Sequence, residues 1–580
     1  MKFYRKLKRI AFLLFFVAAA NLGALAQKTV AVILKNPHEI CKKCNNSLPK
    51  KIFENKIDSI SRLYVNCLIA NGFISASIDS SKLINDTVYF YIYNGVKYRW
   101  GEISFLDATA GLMVNLSPKN KQFVGKPVLI ENISKSKNRI INNYENNGYP
   151  FASIKTDSFE ISPGLISAKY LVKSGELIRF DSLEITGNVK ISNSFLKHYL
   201  GIVSGKNYSE KKVFQINRLL KELSFVTIEK PQEIFFINNK ARVRLFIKQK
   251  KANQFNGILG IMPDPKITGK FLLTGDISLN LLNSFHRNDK IEFNWKKLET
   301  SSQNLFALFQ LPYILNKPIG GIASIKLFKK DSTFLTVTSH IGIPFYLTGS
   351  NNIGIYYENG SSTLLYTSGL SSTTTLPALS SYNSNIFGIS LFYSSLDNKF
   401  NPINGYSIKF QAGYGKKTIE RHPEINPLLY SGIQMSSFRN EQYADISKYT
   451  NLYRKWVLKL RVQSGYINTK KLFKNELYRI GGLSTLRGFD EESIYASQYL
   501  IGSSEIRFLF EENSAFFAFY DQAYYKSIEV KNDNPAGFGA GIEFQTKAGI
   551  FTFSYALGHQ LGNSVQFKTA RVHFGFVNRF

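Results

Sequence analysis

The sequence predicts a row of α+β repeats followed by an all-β antiparallel transmembrane barrel of about 16 strands. Three observations predict this fold. Residues 27–250 contain a weak internal repeat of about 75–80 residues, which is typical of similar modules in a row. The 330 residues after Lys250 alternate between polar and apolar positions. Aromatic residues make up 14% of the chain although its mean hydropathy is −0.13, and a barrel with alternating lipid and lumen faces reconciles these values.

The first 26 residues are typical of a secretory signal peptide. Ala11 to Ala20 form an apolar core that is too short for a membrane-spanning helix, and Ala24-Leu25-Ala26 supplies a small-residue cleavage pattern. The segment before this core carries only basic charge, in Lys2, Arg5, Lys6, Lys8 and Arg9. We therefore expect an exported mature chain that begins near Gln27. The alternative is an uncleaved signal anchor.

The net charge of +32 is large and is spread over the whole chain. Nucleic-acid binding is one interpretation of such a charge. An exported chain rarely meets a genome, however, and we predict no nucleic-acid partner. We assign the basic residues to lumen and loop surfaces and to contacts with anionic outer-membrane lipids.

Three cysteines follow the predicted signal peptide. Cys41-Lys42-Lys43-Cys44 has the spacing of a metal or redox site, but zinc needs two more ligands, and only Cys67 and His38 are near in sequence. In an exported chain we favour a disulfide between Cys41 and Cys44, with a bond from one of them to Cys67 as the alternative. No metal site and no cofactor are predicted.

Each repeat contains an amphipathic helix, a turn and a strand in the same order. The helices are marked by Ile57, Ile60, Leu63, Leu68 and Ile69, then by Ile133, Ile140, Ile141 and Tyr144, and last by Val213, Ile216, Leu219 and Leu220. The strands are Thr87–Tyr93, Ser167–Val172 and Ala241–Ile247. We divide the chain into a signal peptide (1–26), three modules (27–97, 98–175 and 176–250) and a barrel (251–580).

The clearest predicted barrel strand is Trp456–Tyr466. One face is apolar with aromatic ends, whereas Lys455, Lys459 and Arg461 lie on the other. Aromatic ends suit the two membrane interfaces, and a cationic face must meet a wet lumen. A soluble sandwich would alternate as well, but it would place its charges outside. A Ser/Thr/Gly-rich segment between Asn359 and Ser384 is interpreted as a long loop.

A glycine-rich segment near the C-terminal end carries the most specific motif. It reads Arg479-Ile480-Gly481-Gly482-Leu483-Ser484-Thr485-Leu486-Arg487-Gly488-Phe489. Adjacent glycines allow backbone angles closed to other residues, so the segment can fold tightly and present one guanidinium. An arginine inside a barrel needs a partner. The alternation of the next two strands turns Glu505 and Arg507 inward and can place Asp521 inward as well.

This GG-x4-RGF pattern resembles the signature loop of the BamA/TamA superfamily, whose outer-membrane barrels follow periplasmic POTRA domains, small βααββ modules. Other matching stretches are Leu311-Pro312-Tyr313, Pro318 to Gly321, and Leu396-Asp397-Asn398 with Pro402 and Gly405. The resemblance implies a functional loop formed by Gly481, Gly482, Arg487, Gly488 and Phe489. It also implies that Arg487 pairs with Glu505 and Asp521. The phenylalanines of the last strand, Phe574, Phe576 and Phe580, resemble the C-terminal barrel recognition signal.

The resemblance implies a non-enzymatic outer-membrane assembly factor. Such a protein captures unfolded outer-membrane clients on POTRA sheet edges in the periplasm. It then inserts or translocates them at a seam between the first barrel strand, about Gln254 to Ile261, and the last. A periplasmic or inner-membrane accessory protein is a further expected partner. Three modules are closest in layout to TamA-like members.

Three other functions agree less well with the sequence. A two-partner secretion channel shares the barrel and the loop but usually has two modules and a plugging helix. A passive porin would not need the repeats. An enzyme finds little support in the sequence, because the seven histidines form no HExxH motif and no G-x-S-x-G elbow is present.

Overall fold

The computed structural model describes residues 29–35, 41–107, 124–263, 271–297, 302–366, 370, 373–398, 401–511, 513–529, 532–546, 549–560 and 570–578. The predicted signal peptide and Phe580 lie outside these ranges. The chain divides into two compact units, residues 1–178 with 207–211 and residues 179–206 with 212–580. Among the described residues, no helix is long and apolar enough to cross a membrane.

The first unit contains two small mixed sheets that each pack against helices. The first sheet has the order β2-β1-β4-β3, with β1 (Thr29–Lys35), β2 (Lys51–Phe53), β3 (Ser77–Ile84), β4 (Thr87–Tyr93), α1 (Lys42–Ser47) and α2 (Ile57–Ala70). The second has the order β5-β7-β6, with β5 (Arg99–Asp107), β6 (Ser153–Ser162), β7 (Leu165–Lys173) and α3 (Ile130–Asn146). Their cores form because alternate residues of β4 and β7 are buried against the apolar stripes of α2 and α3.

The second unit begins with a third small sheet of order β8-β10-β9. It comprises β8 (Arg179–Thr186), α4 (Asn193–Leu200), α5 (Glu210–Glu222), β9 (Val226–Ile237) and β10 (Lys240–Gln249). This is the βααββ order that the resemblance implies. The predicted α+β repeats are therefore confirmed, while the domain boundaries assigned from the sequence remain a prediction.

The rest of the second unit is, in the described residues, one 16-stranded sheet in which every pair of neighbours is antiparallel. Its strands are β11 (Gln254–Pro263), β12 (Phe271–Leu282), β13 (Lys290–Lys297), β14 (Gln303–Leu311), β15 (Gly321–Lys330), β16 (Phe334–Thr348), β17 (Asn351–Leu364), β18 (Tyr382–Ser394), β19 (Gly405–Ile419), β20 (Ser436–Tyr453), β21 (Trp456–Thr469), β24 (Gln498–Glu511), β25 (Ser514–Lys526), β26 (Ala536–Gln545), β27 (Gly549–His559) and β28 (Arg571–Asn578). The predicted fold class is confirmed.

Smaller elements connect these strands. A separate two-stranded ladder, β22 (Tyr478–Ile480) with β23 (Ile494–Ala496), lies in the connection from β21 to β24. Short 3-10 turns in these connections are Ile314–Asn316, Pro427–Tyr430 and Lys474–Glu476, and a further one, Glu54–Lys56, lies in the first repeat. Within the described ranges, no hydrogen-bonded ladder joins β11 to β28, so each is an edge strand.

The large sheet exposes apolar side chains and covers polar ones. In β21, Trp456, Leu460 and Val462 are 45–46% exposed, whereas Val457 and Gln463 on the other face are buried. In β25, every second residue from Ala515 to Tyr525 is buried and the residues between them are exposed. A water-soluble protein would present the charged face instead. The expected orientation of the Trp456–Tyr466 strand is confirmed.

The segment between Asn359 and Ser384 is less of a loop than its composition predicts. Strand β17 continues to Leu364, and β18 begins at Tyr382. The serines here are paired in the sheet, since the Ser362 hydroxyl lies 2.9 Å from Thr336 Oγ1 and Ser384 donates to the Gly360 carbonyl. Small polar residues suit the covered face of such a sheet, so the loop interpretation was wrong at both ends.

Candidate functional site

The RGF motif lies in the long connection between β21 and β24. The β22–β23 ladder closes the base of this connection, with Ile480 opposite Ile494. Leu486 and Phe489 are buried in a cluster that includes Ile480, Ile494, Ala496, Tyr499, Ile501, Ala523 and Tyr525. We call residues 481–490 the RGF loop. Apolar contacts with β24 and β25 therefore hold the RGF loop against the sheet.

Three glycines determine the path of the RGF loop. Gly481, Gly482 and Gly488 have φ values of 115°, 94° and 92°, which side-chain-bearing residues rarely adopt. A Cβ at Gly482 would lie 1.7 Å from Glu491 Oε2, and one at Gly488 would lie 2.6 Å from the Leu557 carbonyl oxygen. Thr485 stabilises the turn because its hydroxyl accepts from the Gly481 amide and donates to the Gly481 carbonyl.

Arg487 is clamped between two carboxylates. Its Nε and Nη2 donate to Asp521 at 2.8 and 2.6 Å, and Nη1 donates to Glu505 at 2.6 Å. The guanidinium also lies 3.6 Å from the ring centroid of Phe519. Arg487, Glu505 and Asp521 are 8%, 3% and 0% exposed, so all three charges are removed from water together. A planar bidentate pair of this kind requires arginine, since lysine has no forked donor.

Glu505 extends the clamp into a network on the covered face. Its second oxygen accepts from Arg507 Nη1 at 2.9 Å, and Lys459 Nζ lies 3.8 Å from Glu505. Arg507 also donates to Asn401 at 3.0 Å. Three cations therefore surround Glu505, and their attraction offsets the desolvation free energy of its buried carboxylate.

Glycines in the last strands make room for the RGF loop. A Cβ at Gly537 in β26 would lie 1.8 Å from the Arg487 carbonyl oxygen, and one at Gly558 in β27 would lie 2.5 Å from the Gly488 carbonyl oxygen. The RGF loop also reaches the edge strand β28, where Arg571 forms an ion pair with Asp490 at 2.7 Å. Sequence reasoning missed this cradle. The run Gly537, Gly539 and Gly541 was the available signal for it.

A second buried ion cluster anchors the same connection at its start. Glu476 accepts from Lys417, from Arg439 Nη1 at 2.5 Å and from the Phe473 amide at 3.0 Å. The side chains of Lys417 and Glu476 are completely buried. These residues were also missed, because Glu476 is 59 residues from Lys417 and 37 from Arg439.

A family model of the Omp85 superfamily domain matches residues 283–580, just over half of the chain. The chain belongs to the Omp85 superfamily. The match includes the RGF loop and both carboxylate partners of Arg487. Among the curated proteins, none matches this Omp85 sequence significantly.

Two solved CdiB structures share the fold of this Omp85 protein at low sequence identity, and a BamA structure matches with a lower TM-score. CdiB from Escherichia coli is 14% identical with a TM-score of 0.51, and the match covers 91% of this chain and 99% of that one. CdiB from Acinetobacter baumannii is 14% identical with a TM-score of 0.50, covering 83% and 90%. BamA from Haemophilus ducreyi lacking POTRA domains 1–3 is 16% identical with a TM-score of 0.41, covering 83% and 100%.

The third repeat of the Omp85 chain is joined to the large sheet by a buried tyrosine. Tyr199 on α4 donates to Glu222 at 3.0 Å, and its carbonyl accepts from the Gly349 amide between β16 and β17 at 3.0 Å. Glu222 also accepts from Ser350 at 3.1 Å. Burial, and then the Glu222 charge, raise the pKa of Tyr199, so its phenol remains a neutral donor. We call Tyr199, Glu222, Gly349 and Ser350 the repeat–sheet joint.

Replacing Glu222 by alanine is expected to weaken the repeat–sheet joint by about 1–3 kcal/mol, because Ser350 loses its acceptor and the buried Tyr199 hydroxyl keeps only the Leu219 carbonyl at 3.2 Å. Protease cleavage between the third repeat and the sheet should accelerate, measured by time-resolved digestion in detergent. The control is Glu229→Ala, which removes only the half-exposed pair with Lys248 in the same repeat. Equal cleavage rates for both variants would contradict the assignment.

The remaining predicted site residues lie elsewhere in the Omp85 chain. The structure bonds Cys44 to Cys67 and leaves Cys41 as a thiol, so the favoured Cys41–Cys44 pairing was wrong and the alternative holds. Local spacing misled because α1 packs its Cys44 side chain onto α2. Phe574 in β28 is 65% exposed, and Phe576 lies opposite Phe551 of β27 in the backbone register. In the described part of the chain, no group of three or more His, Cys, Asp or Glu residues is placed to hold a metal.

Proposed function

We propose that this protein is an outer-membrane assembly factor that inserts or translocates client proteins. Its repeats lie in the periplasm, its 16-stranded sheet spans the outer membrane, and its partners are outer-membrane lipids and unfolded clients. Family membership supports the class of function, which is transport or assembly rather than enzymatic chemistry. The exposed apolar face of β21 and β25 supports contact with lipid.

The contact of the RGF loop with the end of the sheet carries the proposal. The loop is fixed to β24 and β25 by Arg487 and touches β28 through the Asp490–Arg571 pair. Strand β28 is an edge strand whose free backbone groups can pair with an incoming strand. The clamp thus holds the edge in the position where a client strand can add to it.

The repeats supply the second half of the proposed mechanism. Each of their sheets has edge strands, and β6 of the second repeat exposes Phe159 and Ile161. An unfolded client can add to such an edge through main-chain hydrogen bonds, with apolar side chains contributing affinity. Capture at a repeat followed by strand addition at β28 would move the client from the periplasm into the bilayer.

The test is insertion of a urea-unfolded eight-stranded outer-membrane barrel into lipid vesicles. Vesicles that hold the mature protein should insert it at least about tenfold faster than empty vesicles, which corresponds to about 1.4 kcal/mol of the activation barrier. Vesicles with a 16-stranded porin of equal protein content are the control for bilayer defects.

Insertion at the rate of the porin vesicles would overturn the proposal. If the protein instead produced a large steady ion conductance in a planar bilayer, a two-partner secretion channel would be the better assignment. CdiB in the two structural matches has the same fold, but at 14% identity this likeness concerns the fold alone.

A further inference from the structure

Three sulfur atoms meet in the first repeat. Cys44 and Cys67 form a disulfide that ties α1 to α2 across 23 residues. The thiol of Cys41, the residue before α1, lies 3.2 Å from Cys44 Sγ. A free thiol therefore lies next to one sulfur of an existing disulfide, and such proximity is a condition for thiol–disulfide exchange.

The access to the two disulfide sulfurs is different. Cys44 is fully buried in the core of the first repeat, whereas Cys41 and Cys67 are half-buried. An external thiol is therefore excluded from Cys44, and Cys41 is placed to attack it from within the fold. At the Cys44 sulfur, the arrangement therefore favours attack by Cys41 over attack by an external thiol.

The leaving sulfur also has a partner. The Asn71 side-chain amide lies 3.5 Å from Cys44 Sγ and 3.6 Å from Cys67 Sγ, and it donates to the Cys67 carbonyl at 2.7 Å. This N–H group can stabilise negative charge that develops on Cys67. On α2, the titratable group that faces Cys41 is Tyr64. Burial is the main cause that raises the pKa of Tyr64 to about 12, and the nearby Cys41 raises it further. Lys42 and Lys43 are the neighbouring charges on α1.

We propose that Cys41, Cys44 and Cys67 form an exchange site in which Cys44 changes its partner. The Cys41 thiol loses its proton to solvent, and its sulfur attacks Cys44. The Cys41–Cys44 bond forms as the Cys44–Cys67 bond breaks, and Cys67 leaves as a thiolate that takes up a proton. One disulfide and one thiol exist before and after the step, so no external oxidant or reductant is consumed.

Exchange would change how the first repeat is held together. The Cys44–Cys67 bond links two helices, whereas a Cys41–Cys44 bond lies within one local turn. The second form frees α1 from α2 and exposes a thiol on α2. A repeat proposed to contact clients thus has two covalent states with different stiffness.

The full-length protein itself provides the test, because trypsin cleaves at Lys42 and Lys43 and separates Cys41 from Cys44. The purified protein is held at about pH 8.5, where thiolates are more abundant than at about pH 6. At intervals it is quenched in acid, labelled with a maleimide and digested. Mass spectrometry then measures the Cys41–Cys44 and Cys44–Cys67 peptide pairs and the label on each cysteine.

We expect label on Cys67 and the Cys41–Cys44 pair to increase together, at least about tenfold faster at the higher pH. The Cys67→Ser variant should hold Cys41–Cys44 as a disulfide after air oxidation, and Asn71→Ala should slow the exchange of the otherwise native chain. Label confined to Cys41 at every time and at both pH values would overturn the proposal. The wild-type measurement does not depend on the folding of any variant.

Discussion

The Arg487→Ala variant is expected to lose about 3–5 kcal/mol of barrel stability, because it leaves Asp521 buried without its cation and removes one of the three cations around Glu505. The folded band in heat-modifiability gels should disappear at a lower temperature than in the wild type. Client insertion into vesicles should fall towards the rate of empty vesicles, since the loop no longer positions β28. Export and membrane localisation should be unchanged.

Two further variants separate charge from geometry at Arg487. Arg487→Lys keeps the charge but not the bidentate pair with Asp521, so it should recover only part of the lost stability. Lys474→Ala is the matched control, since Lys474 lies in the same connection and pairs with the half-exposed Glu529. If Arg487→Ala melted and inserted clients like Lys474→Ala, the clamp would have no role in stability or function.

The Glu476→Ala variant is expected to have an effect of similar size, about 3–5 kcal/mol, because Lys417 would be left buried without a carboxylate and Arg439 would keep only its pair with Glu441. The start of the connection should then detach from the sheet. Proteolysis within residues 470–480 and the melting temperature of the folded band would report this change.

The matched control for Glu476 is Glu529→Ala. It removes a carboxylate whose side chain is 53% exposed and whose ion pair with Lys474 is near the surface, where such pairs contribute about 0–1 kcal/mol. Equal melting temperatures for the two variants would show that the Glu476 cluster does not anchor the connection.

Strand periodicity made much of this architecture predictable. Where one face of a strand is apolar, a single register determines which side chains are covered, so Glu505 and Asp521 could be assigned to the covered face from the sequence, and the family resemblance matched them to Arg487. The GG-x4-RGF motif identified Arg487 as the functional arginine of the loop. The same reasoning correctly placed the cationic side of the Trp456–Tyr466 strand.

Contacts between distant segments could not be predicted in this way. Lys417, Arg439 and Glu476 lie on three different segments, and no local pattern relates them. Gly537 and Gly558 make room for the backbone of the RGF loop, which packs directly on them. The residues next to them in sequence give no indication of this contact. The polar ends of β17 and β18 were predicted to be a loop because a composition rich in serine and threonine usually indicates exposure to water. In this sheet, however, the polar side chains are on the covered face of the strands.

The Arg487 clamp and the Asp490–Arg571 ion pair of the RGF loop differ in their exposure to dissolved salt. The Arg487 clamp is buried, whereas the side chains of Arg571 and Asp490 are 42% and 66% exposed. The screening length falls from about 8 Å at physiological ionic strength to about 3 Å at 1 M, and screening acts mainly on exposed charges. Rising ionic strength therefore weakens the ion pair between the loop and the edge strand β28, while the buried Arg487 clamp keeps the loop in place. The ionic composition of the surrounding fluid thus becomes a means of adjusting how freely that edge moves.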